Sequence, residues 1–226
     1  MNDVTNKNCK EIWNENFLNT YAQPEFVLDY GEGSILFDLE GNRYIDFTSG
    51  YGVSSLGYSN KKLNKALKNQ LDKLIHSSNL FFNKPMLELG QKLTELSNMS
   101  KVYFCNSGSE ANETAFKLAR KYSSDKYGEG RGTIISLVDS FHGRTMFSLM
   151  ATGMDKYHNY FYPLPEGNKY VEINNLENFK SSIDETICAV VFESVQGEGG
   201  VNSLDKNYIK EVIKICNEKD ILVIFD

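Results

Sequence analysis

The amino-acid sequence predicts an α/β protein, with a mainly parallel sheet, helices on both faces, and a short antiparallel hairpin ahead of it. Three observations carry this. Short apolar runs recur at residues 102–105, 133–138, 189–192 and 221–225, with the length and composition of strands buried on both faces. Helically spaced segments separate them, and such alternation implies crossover connections and parallel pairing. Before these runs, residues 31–47 alternate in the manner of a hairpin on either side of a Glu40-Gly41-Asn42 turn.

The elements follow in order. After the hairpin and a Gly- and Ser-containing stretch, Leu63, Leu67, Leu71 and Leu74 recur at helical spacing, and Pro85 opens a second helix carrying Leu89 and Leu93. The helix after the first apolar run is expected to bury Ala111, Ala115, Leu118, Ala119 and Tyr122. The helix before the last run is expected to bury Ile209, Val212, Ile213 and Cys216. No internal repeat or low-complexity linker interrupts the chain. The expected division places residues 1–57 in an N-terminal segment and residues 58–226 in the sheet domain.

Composition narrows the function. The 226 residues are 41% hydrophobic and 12% aromatic, enough for a sizeable core. Their 24 basic and 30 acidic side chains give a formal charge of −6, with no basic stripe to follow a phosphate backbone, so nucleic acid is not an expected partner. No apolar run is long enough for a signal-peptide core or a membrane span, which points to a cytoplasmic protein with no membrane partner. Cys9, Cys105, Cys188 and Cys216 are widely separated and lack zinc-ligand spacing, so no metal site is expected. The last three lie in or beside apolar segments and are expected to fill the core.

In an open α/β sheet, ligands bind beyond the carboxyl ends of the strands. The first run leads into Asn106, Ser107, Gly108, Ser109 and Glu110. Ser107 and Glu110 have capping-box spacing, and the free N–H groups of a helix start, with Gly108 allowing close approach, can cradle a phosphate. An ordinary capped helix is the alternative. The second run ends in Phe141, His142, Gly143 and Arg144, where a ring can stack on a flat heterocycle and a guanidinium can clamp a carboxylate. A core Phe and a solvated Arg are the alternative. The third ends in a glycine-rich loop carrying Glu193, Gln196 and Glu198, and the fourth delivers Asp226. A carboxylate beside so much apolar surface needs a cationic or hydrogen-bonding partner, whether a ligand's ring N–H, a helix start or an internal ion pair. Phosphate donors, a stacking ring, a carboxylate clamp and an anion for a ring nitrogen are together what a protein needs to hold pyridoxal phosphate.

At this point the sequence resembles the class III aminotransferases, pyridoxal-phosphate enzymes of fold type I. The likeness runs from about Tyr21 to Asp226, with its most specific stretches at residues 31–34, 76–82, 104–112, 140–145 and 196–200. Among the subfamilies it is most similar to the acetylornithine branch. The resemblance implies that residues 1–57 belong to the family's small domain and the remainder to its cofactor-binding domain. It makes Gly108 and Ser109, in the cup that Ser107 opens, backbone donors to the cofactor phosphate. It makes Phe141 the ring packed on the pyridine, Asp226 the catalytic partner of the pyridine nitrogen, and Glu193 a supporting residue near the cofactor. Arg144 would bind the substrate α-carboxylate, and Glu198 would neutralise an active-site arginine.

The implied reaction passes the terminal amino group of N-acetylornithine to 2-oxoglutarate, a step of arginine biosynthesis, in a homodimer. Tyr51 stands where acetylornithine enzymes usually carry an aliphatic residue and ornithine δ-aminotransferases a substrate-contacting tyrosine, so ornithine is an alternative donor and 4-aminobutyrate another. Ser109 and Ser194 replace a common alanine and a common proline. The family's Schiff-base lysine lies beyond the position of Asp226. These 226 residues alone are therefore expected not to transaminate, which leaves a non-catalytic binding module as a further alternative.

Overall fold

The structure, a computed structural model, describes residues 3–226. It divides into two compact units, one ending at Leu96 and the other running Ser97–Asp226. Among the described residues no helix is long and apolar enough to cross a membrane.

In the first unit, helix α1 (Cys9–Asn16) precedes an antiparallel sheet of β1 (Leu28–Glu32), β2 (Ile35–Asp38) and β3 (Arg43–Ile45), in that spatial order. The β2–β3 hairpin is the one expected, and its turn is organised by a single carboxylate. Asp38 is 2% exposed and accepts hydrogen bonds from the N–H groups of Glu40 and Asn42, the Asn42 amide and the Tyr44 hydroxyl. Burial alone would raise its pKa, but these donors outweigh burial and lower it to about 2. Gly41, at φ +81°, takes the left-handed conformation the turn requires. Helices α2 (Lys61–Leu71) and α3 (Lys84–Ser97) follow. Asn60 caps the first, and Asn83 accepts from the Met86 N–H in the first turn of the second.

The second unit opens with α4 (Gly108–Tyr127), then β4 (Thr133–Leu137), α5 (Met146–Ala151), β5 (Asn168–Val171), α6 (Leu176–Ser182) and β6 (Ile187–Phe192). A small hairpin of β7 (Val195–Gln196) and β8 (Asn202–Ser203), helix α7 (Lys206–Glu218) and β9 (Leu222–Phe225) complete it. The four-stranded sheet has the order β5-β4-β6-β9, and every pair is parallel. Helices cover both faces, as the alternation predicts. On one face Phe179 of α6 and Tyr208, Val212 and Cys216 of α7 pack on Ile135, Leu137, Val190 and Phe192. On the other, Phe116 and Ala119 of α4 and Met150 and Ala151 of α5 pack on Ile134, Ala189 and Val191. Between Ile187 and Ala189, β6 holds one more residue than β4 opposite, so Cys188 and Ala189 fall in the same core cluster.

Four expectations need correction. Residues 102–105 form no strand, and Tyr103 is 65% exposed, because an apolar run becomes a strand only beside a partner and none of the described residues pairs with it. The buried face of α4 is Asn112, Phe116, Ala119 and Ser123, with Leu118 and Tyr122 exposed. That stripe is rotated by about one residue from the expected one, since Phe116 and Ala119 pack on the sheet while Asn112 reaches His142 and Asp226 beyond it. Cys188 and Cys216 are buried but Cys105 is exposed, because it lies in the run that does not pair. Strand β5 was not expected at all: it lies at the sheet edge, and only Val171 of its four residues is fully buried.

Phe116 is fully buried between α4 and the sheet. Phe116→Ala is therefore expected to lower unfolding stability by about 3–5 kcal/mol, measured by denaturant titration of the complete protein.

Candidate cofactor and substrate site

The sheet brings β4, β6 and β9 side by side, so residues following them meet at one edge, and α4 begins there. Ser107 is the N-cap of α4, its hydroxyl accepting from the Glu110 N–H at 3.2 Å. Glu110 reaches back to the Asn106 N–H at 2.6 Å, one residue earlier than a standard capping box, and the Asn106 contacts hold its pKa below the usual glutamate range. The N–H groups of Gly108 and Ser109 find no acceptor among the described residues. The space a Cβ of Gly108 would occupy is open for 4 Å. This is the geometry of an anion cup at a helix start.

One turn further along α4, Asn112 is 4% exposed. Its amide donates to the His142 carbonyl and to Asp226 Oδ2, both at 2.8 Å. His142 Nδ1 lies 2.7 Å from the same Oδ2. A deprotonated carboxylate can only accept, so Nδ1 carries the proton. Burial pushes the Asp226 carboxyl upward, but the His142 and Asn112 hydrogen bonds together outweigh it and set its pKa below the ordinary aspartate value. Both bonds fall on Oδ2, leaving Oδ1 without a hydrogen bond among the described residues. Asp226 is thus an anion fixed in place, with one oxygen still to offer.

Around it, Glu193 Oε1 accepts from the Phe141 N–H at 2.9 Å. Burial raises the pKa of Glu193, and the nearby Asp226 charge adds to the shift, so the two carboxyls are driven in opposite directions. The Phe141 ring meets Tyr157 edge-on at 5.6 Å. The Arg144 guanidinium lies 4.3 Å from the Tyr157 ring centroid and 5.6 Å from that of Phe141. It makes no ion pair among the described residues. Gln196 is fully buried, and its amide holds the loop after β6 to the Val138 carbonyl at 2.8 Å. Gly199 sits so close that a Cβ there would lie 2.3 Å from the Asp139 carbonyl.

The sequence-selected residues Ser107, Gly108, Ser109, Phe141, Arg144, Glu193 and Asp226 therefore gather around one end of one sheet. Glu198 stands exposed, without an ion pair among the described residues. Tyr51 belongs to the first unit, 92% exposed with φ +56°. Asn112, Glu113 and Tyr157 were not singled out. Asn112 lay hidden because a mid-helix Asn reads as solvated, although its place one turn after the cup was a usable signal.

The sequence profile described as Aminotransferase class-III matches residues 18–226. The chain belongs to the class-III aminotransferases. The family and its structural neighbours are pyridoxal-phosphate-dependent enzymes. Like this class-III chain is the acetylornithine aminotransferase of Haemophilus ducreyi, 46% identical over 224 residues, which are 99% of this chain and 57% of that protein. The acetylornithine aminotransferase of Methanocaldococcus jannaschii is 43% identical over 223 residues, 99% of this chain and 56% of that one. Among solved structures, the ornithine aminotransferase of Toxoplasma gondii superposes with a TM-score of 0.93 at 26% identity, covering 99% of this chain and 54% of that one. The N-acetylornithine aminotransferase of Stenotrophomonas maltophilia does so at 0.79 and 30% identity, covering 96% and 52%. The class-III chain thus spans just over half the length of these relatives, and its α/β sheet is a partial fold-type-I fold.

The pH dependence of stability follows from the two carboxyls. Because the folded Asp226 pKa lies below its ordinary 3.8, the unfolded chain binds more protons in that interval. Its contribution is complete above the ordinary value and is lost as pH falls through the folded one. Glu193 has the opposite sign: with its pKa raised above 4.5, stability falls as pH rises from there to the folded value. Asp226→Asn should flatten only the acid limb and Glu193→Gln only the higher one, in denaturation midpoints recorded from about pH 2 to pH 7.

Proposed function

We propose that the complete protein is a pyridoxal-phosphate-dependent aminotransferase that moves the terminal amino group of N-acetylornithine to 2-oxoglutarate. The products are N-acetylglutamate 5-semialdehyde and glutamate. The observation that carries the reading is the fixed Asp226 anion, its Oδ1 unpaired among the described residues, one helix turn from N–H groups at the start of α4 that find no acceptor among them. Gly108 precedes Asn112 by four residues, roughly 6 Å along the helix. One helix therefore serves both ends of a ligand that has a phosphate at one end and a ring nitrogen at the other.

The residues present fit that cofactor. Gly108 and Ser109 would hold its phosphate through backbone N–H groups, Phe141 would pack on its ring, and Asp226 Oδ1 would keep a proton on the ring nitrogen. When bound, the cofactor supplies an electron sink for the pair left as a proton leaves the amine-bearing carbon. His142 and Asn112 keep Asp226 ionised, so that it would accept from a protonated ring nitrogen rather than donate to it. Glu193 fixes the Phe141 backbone. Arg144 would take the substrate α-carboxylate, its charge unspent on any acidic side chain among the described residues. Glu198 would temper an active-site arginine when a basic donor gives way to 2-oxoglutarate.

Support for the donor comes from the acetylornithine aminotransferases at 43–47% identity. The same reading makes the complete protein a cytoplasmic homodimer serving arginine biosynthesis, with residues 1–57 in its small domain. The likeness to an ornithine aminotransferase together with Tyr51 favours ornithine as a second reading.

The test is transamination by the complete protein with N-acetylornithine, ornithine and 4-aminobutyrate, each against 2-oxoglutarate. The highest kcat/KM is expected for N-acetylornithine, and a preference for ornithine would move the assignment to the second reading. Arg144→Ala should lower kcat/KM for α-carboxylate donors by roughly 10- to 100-fold while the cofactor stays bound. Equal damage to cofactor retention would show that Arg144 does not serve the substrate.

A further inference from the structure

The cofactor reading uses the backbone of Ser109 and leaves its side chain, and that of Glu113, unexplained. Both project from the first two turns of α4, four residues apart and so on one face. The Arg144 N–H donates to Ser109 Oγ at 3.1 Å, and the Ser148 hydroxyl donates to the Ser109 carbonyl at 3.0 Å. Glu113 Oε1 accepts from the Thr145 hydroxyl at 2.6 Å and the Phe147 N–H at 3.2 Å. Arg144 is thus bracketed, with its own N–H on one α4 side chain and the next residue's hydroxyl on the other. The packing is tight between them. Gly143 has φ +130°, and a Cβ there would lie 2.1 Å from Ser109 Oγ. The bracket fixes the backbone of Arg144 and spends none of its guanidinium, which pairs with no acid among the described residues.

We propose that Ser109 and Glu113 are positioning residues for Arg144. They join its loop to the same helix whose N-terminus forms the phosphate cup, so the substrate α-carboxylate is held at a set distance from the cofactor. This rests on the reading of Arg144 as the α-carboxylate clamp. Ser109 then acts through two separate groups, its N–H in the cup and its hydroxyl on Arg144. Ser109→Ala removes the second and keeps the first.

The experiment uses the complete, cofactor-loaded protein and glutarate, an unreactive five-carbon dicarboxylate, as the probe. Ser109→Ala is expected to raise the glutarate dissociation constant roughly three- to tenfold, the effect of one neutral hydrogen bond. The KM for N-acetylornithine should rise in step, by a larger factor than any change in kcat or in the cofactor dissociation constant. Glu113→Ala should move glutarate binding in the same direction. Because Glu113 also holds the start of α5, its melting temperature is recorded beside it, and Ser109→Ala decides the matter if that helix loosens. Glutarate binding by Ser109→Ala at the wild-type level overturns the proposal, as does an equal rise in the cofactor dissociation constant. Arg144→Ala separates the two layers. If it weakens glutarate binding and Ser109→Ala does not, only the positioning role falls; if it has no effect, the clamp reading falls and takes this inference with it.

Discussion

The Asp226 carboxylate is held on one oxygen by Asn112 of α4 and His142 of the loop after β4, and the arrangement of the site depends on that junction. A carboxylate removed from water costs several kcal/mol unless donors replace its hydration. Two donors to an ionised oxygen, each contributing about 1.5–3 kcal/mol, can offset that cost only if all three elements keep their register. The charge therefore fixes the carboxyl end of β9, the start of α4 and the loop after β4 to one another. Removing either donor would leave a half-buried anion short of a partner.

With that junction in place, α4 acts as the frame of the site. Its first N–H groups face an anion cup, Asn112 reaches the carboxylate, and Ser109 and Glu113 hold the loop that carries Arg144. Phe116 and Ala119 on the same helix anchor it to the sheet, so the polar face is set by the apolar one. Electrostatics follow from this placement. Asp226 is kept ionised by its donors, while burial, with the Asp226 charge nearby adding to it, raises the pKa of Glu193 and pushes it toward its protonated form. The site thus sets one fixed anion beside one carboxyl of raised pKa and one guanidinium that makes no ion pair among the described residues.

Much of this was legible in the sequence where local chemistry and tertiary context agree. The runs ending at Phe192 and Phe225 are continuously apolar, so composition identifies both as strands, but only the first is buried throughout; the second was expected to be buried and lies at the edge of the sheet with Phe225 54% exposed. Glu40-Gly41-Asn42 carries its own turn chemistry. The residues at the strand ends stood out because polar groups directly after such runs have few structural reasons to be there. What stayed hidden depends on neighbours distant in sequence. Residues 102–105 have the composition of a strand but no ladder partner among the described residues. Strand β5 lacks the composition yet pairs at the edge of β4. The α4 stripe is displaced because Asn112 is buried against His142 and Asp226, far along the chain, while Leu118 is exposed. The hydroxyl of Ser109 reads as a small helix residue until Gly143 and Arg144 are folded against it.

Asp226, kept charged by Asn112 and His142, would hold a proton on the pyridine nitrogen of the bound cofactor. The most direct measurement is the ¹⁵N chemical shift of ring-labelled pyridoxal phosphate bound to the complete protein, compared with that of its Asp226→Asn variant. A shift in the pyridinium range for the wild type, moving to the neutral pyridine range in the variant, is the predicted result. A neutral ring nitrogen in the wild type, or a pyridinium shift that survives the substitution, would contradict it.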